Sequence, residues 1–179
     1  SDSVKILNLV RKKGYIKIKR PRKLALKNSL HYDVLKHFIS CLDKNKIPDI
    51  IVVLLANSPT IKTSWIDKCL KKIINNKKIS AVVPVIKNND FHPFRSKKIS
   101  RDMLIPFFKI NKKISTNRQD LPYSFFLCHN FWVLRTKEIL KNKGYPPWKF
   151  MGNKVSPFVI NESVDIHSKE DILKCKRWL

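Results

Sequence analysis

The chain reads as an α/β protein built on a layered sheet. Two apolar runs rich in β-branched residues, Ile50-Ile51-Val52-Val53-Leu54-Leu55 and Ser80 to Ile86, predict strands buried on both faces. Amphipathic helical patterns alternate with them, the order expected of a parallel sheet with crossover helices. The length of 179 residues suits one ordinary domain, 1–179, better than two.

Ile6, Leu9 and Val10 share a short helical face that ends at Gly14, after which Tyr15-Ile16-Lys17-Ile18 alternates like a strand. Arg20-Pro21 breaks it. Leu30, Val34, Leu35, Phe38, Ile39 and Leu42 recur at helical spacing and predict an amphipathic helix of about three turns. Pro48 and Asp49 close that unit and lead into the first apolar strand. Beyond Asn57-Ser58-Pro59-Thr60, the positions Trp65, Ile66, Leu70, Ile73 and Ile74 predict the next helix, which returns the chain to the second strand. The stretch 91–122 is rich in Pro, Lys and Asn with only short apolar pieces, and reads as an arm or insertion. Phe125 to Leu134 predicts one strand, Thr136 to Lys143 a short helix and Val155 to Ile160 a further strand. Ser168, with Asp171 three residues on, opens a last helix carrying Ile172, Leu173 and Trp178.

Composition narrows the function classes. A hydrophobic fraction of 43% supplies a core and excludes wholesale disorder. The longest apolar run, Ile50 to Ala56, is strand-sized and far short of the roughly 18 residues that span a bilayer. Ser1-Asp2-Ser3 carries no signal-peptide pattern, and the absence of an initial Met reads as a chain that starts mid-protein. Cys41, Cys69, Cys128 and Cys175 are scattered without zinc spacing, as in a reduced cytoplasmic protein. The net charge of +25 favours anionic partners: nucleic acid, nucleotides, phosphates or acidic sugars. Of the 38 basic residues 30 are Lys and 8 are Arg, a balance equally consistent with biased codon usage.

In open α/β sheets ligands sit beyond the carboxyl ends of strands, which directs attention to Ala56 to Thr60, the segment after Ile86, and Asp165 to Ser168. Leu55-Ala56-Asn57-Ser58-Pro59 is a short polar turn suited to ligand contacts or to capping a helix. His92-Pro93-Phe94-Arg95 sets an imidazole beside a guanidinium in a loop. Asn117-Arg118-Gln119-Asp120 offers an Arg fork for a carboxylate or phosphate, the alternative being an Arg118–Asp120 surface pair. Val164-Asp165-Ile166-His167-Ser168 places an acid and an imidazole two apart, either a metal or general-base site or a helix-start Asp with an idle His.

Taken in order, Arg20-Pro21, Leu24-Ala25 with Ser29, Leu54 to Pro59, His92-Pro93, Asn117-Arg118-Gln119 with Leu121-Pro122, and Ser163-Val164-Asp165-Ile166 resemble the acylneuraminate cytidylyltransferase family over nearly the whole chain. The resemblance implies a nucleotidyltransferase, nucleotide-diphospho-sugar transferase-like α/β fold, of Rossmann-like three-layer build, and a homodimer joined through an arm. It implies transfer of CMP from CTP to an acidic 2-keto sugar, sialic acid or a related nonulosonic acid, with a divalent metal (Mg²⁺ or Mn²⁺) and release of pyrophosphate. Carried over by position, Arg20, Ser29 and His31 contact the nucleotide. Leu55, Asn57, Ser58, Arg95, Arg118, Gln119 and Trp132 face the substrate. Asp165 and His167 hold the metal, with Asp165 and Arg118 as the catalytic pair.

The chain departs from the family at several points. The family's first strand and basic phosphate-binding loop have no counterpart here, so the fragment alone is expected to be inactive and to work within a longer protein. Leu55 stands for Gln, Lys27 for Asp, Cys128-His129 for Asn-Gly, Trp132 for Tyr, and His167 for the second metal carboxylate. Imidazole at His167 suits Mn²⁺ or Zn²⁺ better than Mg²⁺. These departures also fit a non-catalytic relative that binds nucleotide or acidic sugar. A basic nucleic-acid-binding module is disfavoured, because the aromatics sit in apolar contexts and build no stacking platform with Arg.

Overall fold

The structure is a computed structural model that describes residues 1–11, 15–111 and 113–178. Its helices are α1 (Val4–Arg11), α2 (His31–Ser40), α3 (Thr63–Asn75), α4 (Thr136–Lys141) and α5 (Lys169–Trp178). The expected helix stop at Gly14 lies outside the described residues. The strands are β1 (Ile50–Leu54), β2 (Ala81–Lys87), β3 (Lys97–Ser100), β4 (Met103–Pro106), β5 (Phe125–Leu127), β6 (Phe131–Arg135) and β7 (Val155–Val159).

The main sheet is mixed rather than parallel. β6 lies antiparallel between β1 and β2, matching Leu54 to Phe131 on one side and Ala81 to Leu134 on the other. β1 and β2 therefore share a direction without touching, and β7 extends the sheet parallel to β2. The single strand expected over 125–134 is two strands, because Cys128–Asn130 break the ladder. β5 pairs with β2 at Val85–Lys87, three places out of step with β6, as happens when extra residues bulge from one strand. Among the described residues β1 is paired on one edge only.

Period-two alternation sorts the strands onto two faces. One face carries Ile51, Ala81, Val83, Val85, Trp132 and Leu134 against Leu35 and Ile39 of α2 and Ile139 of α4. The other carries Val82, Phe131 and Val133 against Cys69 and Ile73 of α3. This is the three-layer build, with helices on both sides of the sheet. α5 closes over α3, where Trp178 meets Trp65 with ring centroids 6.1 Å apart. Its start matches the capping-box expectation: the Asp171 carboxylate accepts from the backbone N–H of His167 and of Ser168 at 3.1 and 3.0 Å. Those bonds hold the Asp171 carboxyl well below its ordinary value.

One local expectation is corrected. Tyr15 to Ile18 does not form a ladder strand. Tyr15 and Ile16 are exposed, and the segment's one pairing brackets Ser1, whose amino group donates to the Ile18 carbonyl while its carbonyl accepts from Arg20 N–H. Within 91–122, β3 and β4 form a separate hairpin turned by Arg101 and Asp102, both at positive φ. Ile99, Met103 and Leu104 on it are largely exposed.

Candidate active site

β1, β2 and β7 all end on the same side of the sheet, and three loops meet there. Leu55 N–H donates to the Asn130 carbonyl, and the Asn130 side-chain amide donates to the Thr60 carbonyl at 3.2 Å. Ser58 donates its hydroxyl to the Val164 carbonyl, Val164 N–H donates to the Thr60 hydroxyl, and Ile166 N–H donates to the Asn57 carbonyl at 2.7 Å. Ser58, Thr60 and Asn130 are buried polar residues whose hydrogen bonds are spent on each other's loops, as burial requires. The turn after β1, the bulge before β6 and the segment after β7 are thus locked into one platform.

Asp165 is delivered onto this platform. Its Oδ1 is buried and has no hydrogen-bond partner among the described residues, a costly state for a carboxylate oxygen unless a ligand supplies the missing contact. Cys128 lies beside it. Burial pushes that thiol up to about 11 and the Asp165 charge adds to the rise, so Cys128 is a neutral thiol rather than a nucleophile at neutral pH. Among the described residues no group of three or more His, Cys, Asp or Glu converges to enclose an ion. A divalent ion that keeps several waters and takes one or two carboxylates plus phosphate oxygens needs no such group. His167 is exposed two residues on, its backbone given to Asp171.

Next to the bulge stands an aromatic cluster. His31, first residue of α2, meets Trp132 edge to face at 5.2 Å between centroids, and His129 meets the same indole at 5.7 Å and Trp148 at 5.9 Å. Trp132 itself is fully buried, its Nε1–H donating to the Cys128 carbonyl. The two imidazoles cover the indole, so a ligand at this end meets them before it meets Trp132. The residue His31 is exposed as a whole, yet its ring is desolvated where it packs. That desolvation, with the neighbouring His129 second, holds its pKa below the ordinary imidazole value.

Arg118 and Gln119 line a separate cleft of about 480 Å³ at the end of β2, with Lys87, Asn88, Asp90 and Tyr123. Arg118 pairs with Asp90 at 2.6 Å; the Arg118–Asp120 alternative is not what forms, since Asp120 accepts from the Ser115 hydroxyl. Both partners are more than half exposed, leaving the guanidinium free to exchange Asp90 for an incoming anion. Lys87 adds a second cation, with its Nζ 3.2 Å from the Tyr123 ring centroid.

The remaining candidates are spread more widely. Arg95 is exposed and lines a third hollow of about 400 Å³ with Phe94, Lys97 and Thr116. Arg20 bonds Asp2 at 2.7 Å, while its Nε is buried without a partner among the described residues. Ser29 turns its hydroxyl inward, accepting from Leu26 N–H and donating to the Lys23 carbonyl. Leu55 packs on the core and Asn57 is exposed beside Ile166. His129, Asn130, Thr60 and Lys87 were not among the sequence candidates. The signal for the first two was present: polar residues interrupt the apolar run 125–134 where the strand breaks.

No family model matches the chain, and no curated protein matches it in sequence. Among solved structures it is similar to CMP:2-keto-3-deoxy-manno-octonic acid synthetase complexed with CTP. The TM-score is 0.64 at 11% identity, covering 98% of this chain and 77% of that one. That likeness establishes an α/β fold shared with that synthetase. No helix among the described residues is long and apolar enough to cross a membrane.

Proposed function

We propose that this chain belongs to a cytidylyltransferase that transfers CMP from CTP to an acidic 2-keto sugar and releases pyrophosphate. The observation that carries this is the unpartnered, buried Asp165 oxygen on a platform at the carboxyl ends of β1, β2 and β7. It is supported by a fold shared with a synthetase solved with CTP. In the reaction, a sugar hydroxyl oxygen bonds to the α-phosphorus as the bond to the bridging oxygen breaks, pyrophosphate leaves with the electron pair, and the hydroxyl proton passes to solvent. Little covalent chemistry falls to the protein, whose contribution is placement and charge.

Asp165, with His167, would hold the divalent ion, Mg²⁺ or Mn²⁺, which supplies charge neutralisation on the phosphate oxygens when bound. Arg118 and Gln119 bind the sugar carboxylate, Arg118 releasing Asp90 to do so, and Arg95 extends the positive field towards it. Arg20, Ser29 and His31 serve the nucleotide end, with His129 beside His31 over Trp132. Ser58 acts by bracing the Asp165 segment. The open edge of β1 supports a longer protein in which a further strand adds there and brings more of the phosphate site. The exposed apolar residues of the β3–β4 hairpin support its use as the arm of a homodimer, in the cytoplasm.

A non-catalytic relative that only binds nucleotide or acidic sugar is the second reading. It is favoured by Leu55, Lys27 and His167, which stand where the resemblance expects Gln, Asp and a second metal carboxylate. The deciding experiment is pyrophosphate release by the protein with its native upstream sequence, given CTP, Mg²⁺ or Mn²⁺ and a panel of 2-keto acid sugars including octonic and nonulosonic acids. Release that requires CTP and one sugar supports transfer and names the sugar. A folded protein that releases none supports the binding relative.

A further inference from the structure

At the opposite end of the sheet from Asp165, where β2 and β7 begin and β6 ends, lies a hollow of about 420 Å³. Seven of its twelve lining residues are basic, against 38 of 179 in the chain, so the Lys-rich composition alone does not account for it. Its cations come from four segments: Lys77 after α3, Arg135 at the end of β6, Lys137 and Lys141 on α4, and Lys154 before β7. An adjoining hollow shares Lys77, Arg135 and Lys137, with Asp49 on its far side.

Arg135 is the fixed charge of the group. Its Nε donates to the Ile79 carbonyl at 2.7 Å, and one terminal nitrogen donates to the carbonyls of Ile73 and Asn76. These bonds neutralise nothing, because carbonyls accept without carrying charge. The floor is equally rigid. Ser80 N–H donates to the Lys154 carbonyl and Lys154 N–H to the Ser80 hydroxyl, and Gly152, at φ +77°, passes so close that a Cβ would sit 2.7 Å from Ser80 Cβ. The single carboxylate in the lining, Glu138, is paired with Lys141 at 3.3 Å. Cations converging on a concave wall reinforce one another's potential, and repel one another until an anion arrives.

We propose that this hollow is a second anion site, separate from the proposed active site, that takes a multiply charged phosphate group. Lysines act as point charges for phosphate, whereas planar carboxylate recognition calls for Arg forks. No aromatic residue lines the hollow, so nothing stacks a base, and the ligand is recognised by its phosphates. The phosphate arrives either free, as a polyphosphate, or as a phosphomonoester lipid headgroup.

The test uses inorganic tripolyphosphate in calorimetric titration and thermal unfolding, at constant ionic strength set with sodium chloride. A saturable site that persists with excess CTP present is expected, with a rise in melting temperature that follows its occupancy. The double variant Lys137→Glu/Lys141→Glu should weaken binding about tenfold or more. Lys5→Glu/Lys98→Glu carries the same charge change outside the hollow and should leave binding intact. Equal losses in the two variants, or many equivalent weak sites, would reduce the hollow to solvated lysines and overturn the proposal. Vesicles of phosphatidylcholine with phosphatidic acid or with phosphatidylserine separate the sources. Cleft-dependent capture by phosphatidic acid alone supports the headgroup, and equal capture by both lipids counts against phosphate recognition. If an oligothymidylate displaces tripolyphosphate and binds more tightly through Lys137 and Lys141, the occupant is a nucleic-acid backbone and the proposal falls.

Discussion

Ser58 donates its hydroxyl to the carbonyl of Val164 at 3.1 Å, joining residues 106 positions apart in sequence. The bond ties the turn after β1 to the segment that carries Asp165, with Ser58 buried and Val164 half-buried. Ser58→Ala leaves the half-buried Val164 carbonyl without its donor, so it should cost about 1 kcal/mol in urea unfolding. Retention of full stability would mean that the Thr60 and Asn57 bonds hold the platform unaided.

Arg118→Ala separates binding from stability. The Arg118–Asp90 pair is mostly exposed, and such pairs contribute about 0–1 kcal/mol, so the melting transition should barely move. Affinity of the complete protein for the acidic sugar should fall. Unchanged affinity would remove Arg118 from the site.

The His31 ring gives a pH signature. Its pKa is held below the ordinary 6.5 by desolvation against the protein and, secondarily, by His129. A histidine with a depressed folded pKa takes up its proton less readily folded than unfolded. Its contribution to stability is therefore present above pH 6.5 and is lost as pH falls through the folded value. NMR titration should find the His31 ring titrating below 6.5, and His129→Phe should move it upward. A ring titrating at or above 6.5 would mean that it leaves Trp132 in solution.

Asp165 and His167 set the metal preference. Asp165→Asn should abolish Mn²⁺ binding measured by electron paramagnetic resonance, because it removes the anionic oxygen that has no protein partner. Mn²⁺ should support more turnover than Mg²⁺ in the complete protein, and His167→Asp should swing the preference towards Mg²⁺. An unaltered preference would show that the imidazole is not a ligand.

The periodic elements were legible because each buries a face. Leu35 and Ile39 on α2, and Ile73 on α3, follow from helical spacing, and the apolar runs of β1 and β2 from burial on both sides. Strand direction was not legible. An antiparallel β6 and a parallel one present the same buried Phe131-Trp132-Val133-Leu134, and only pairing distinguishes them. The β3–β4 hairpin was hidden for a different reason: its turn uses Arg101-Asp102 at positive φ, where Asn-Gly is the recognisable signal. Of the site, the loops at the strand ends were legible from the α/β order, and the resemblance singled out Asp165, Arg118 and Gln119. The partners of these residues were not. Asp90 lies 28 residues from Arg118, and Trp132 lies beneath His31 from a distant helix, relationships that exist only once the chain is folded.

The position of β6 also governs how the chain reaches this structure. β1 and β2 are made early and are separated by little more than α3, yet neither pairs with the other. The strand that joins them ends at Arg135, about fifty residues after β2 begins. Until a growing chain has delivered Phe131 to Arg135, two apolar strands wait with open edges. Such long-range closure slows folding and exposes intermediates to aggregation. Translation halted before residue 131 should yield chaperone-bound, protease-sensitive nascent chains, with protection appearing as β6 emerges from the ribosome.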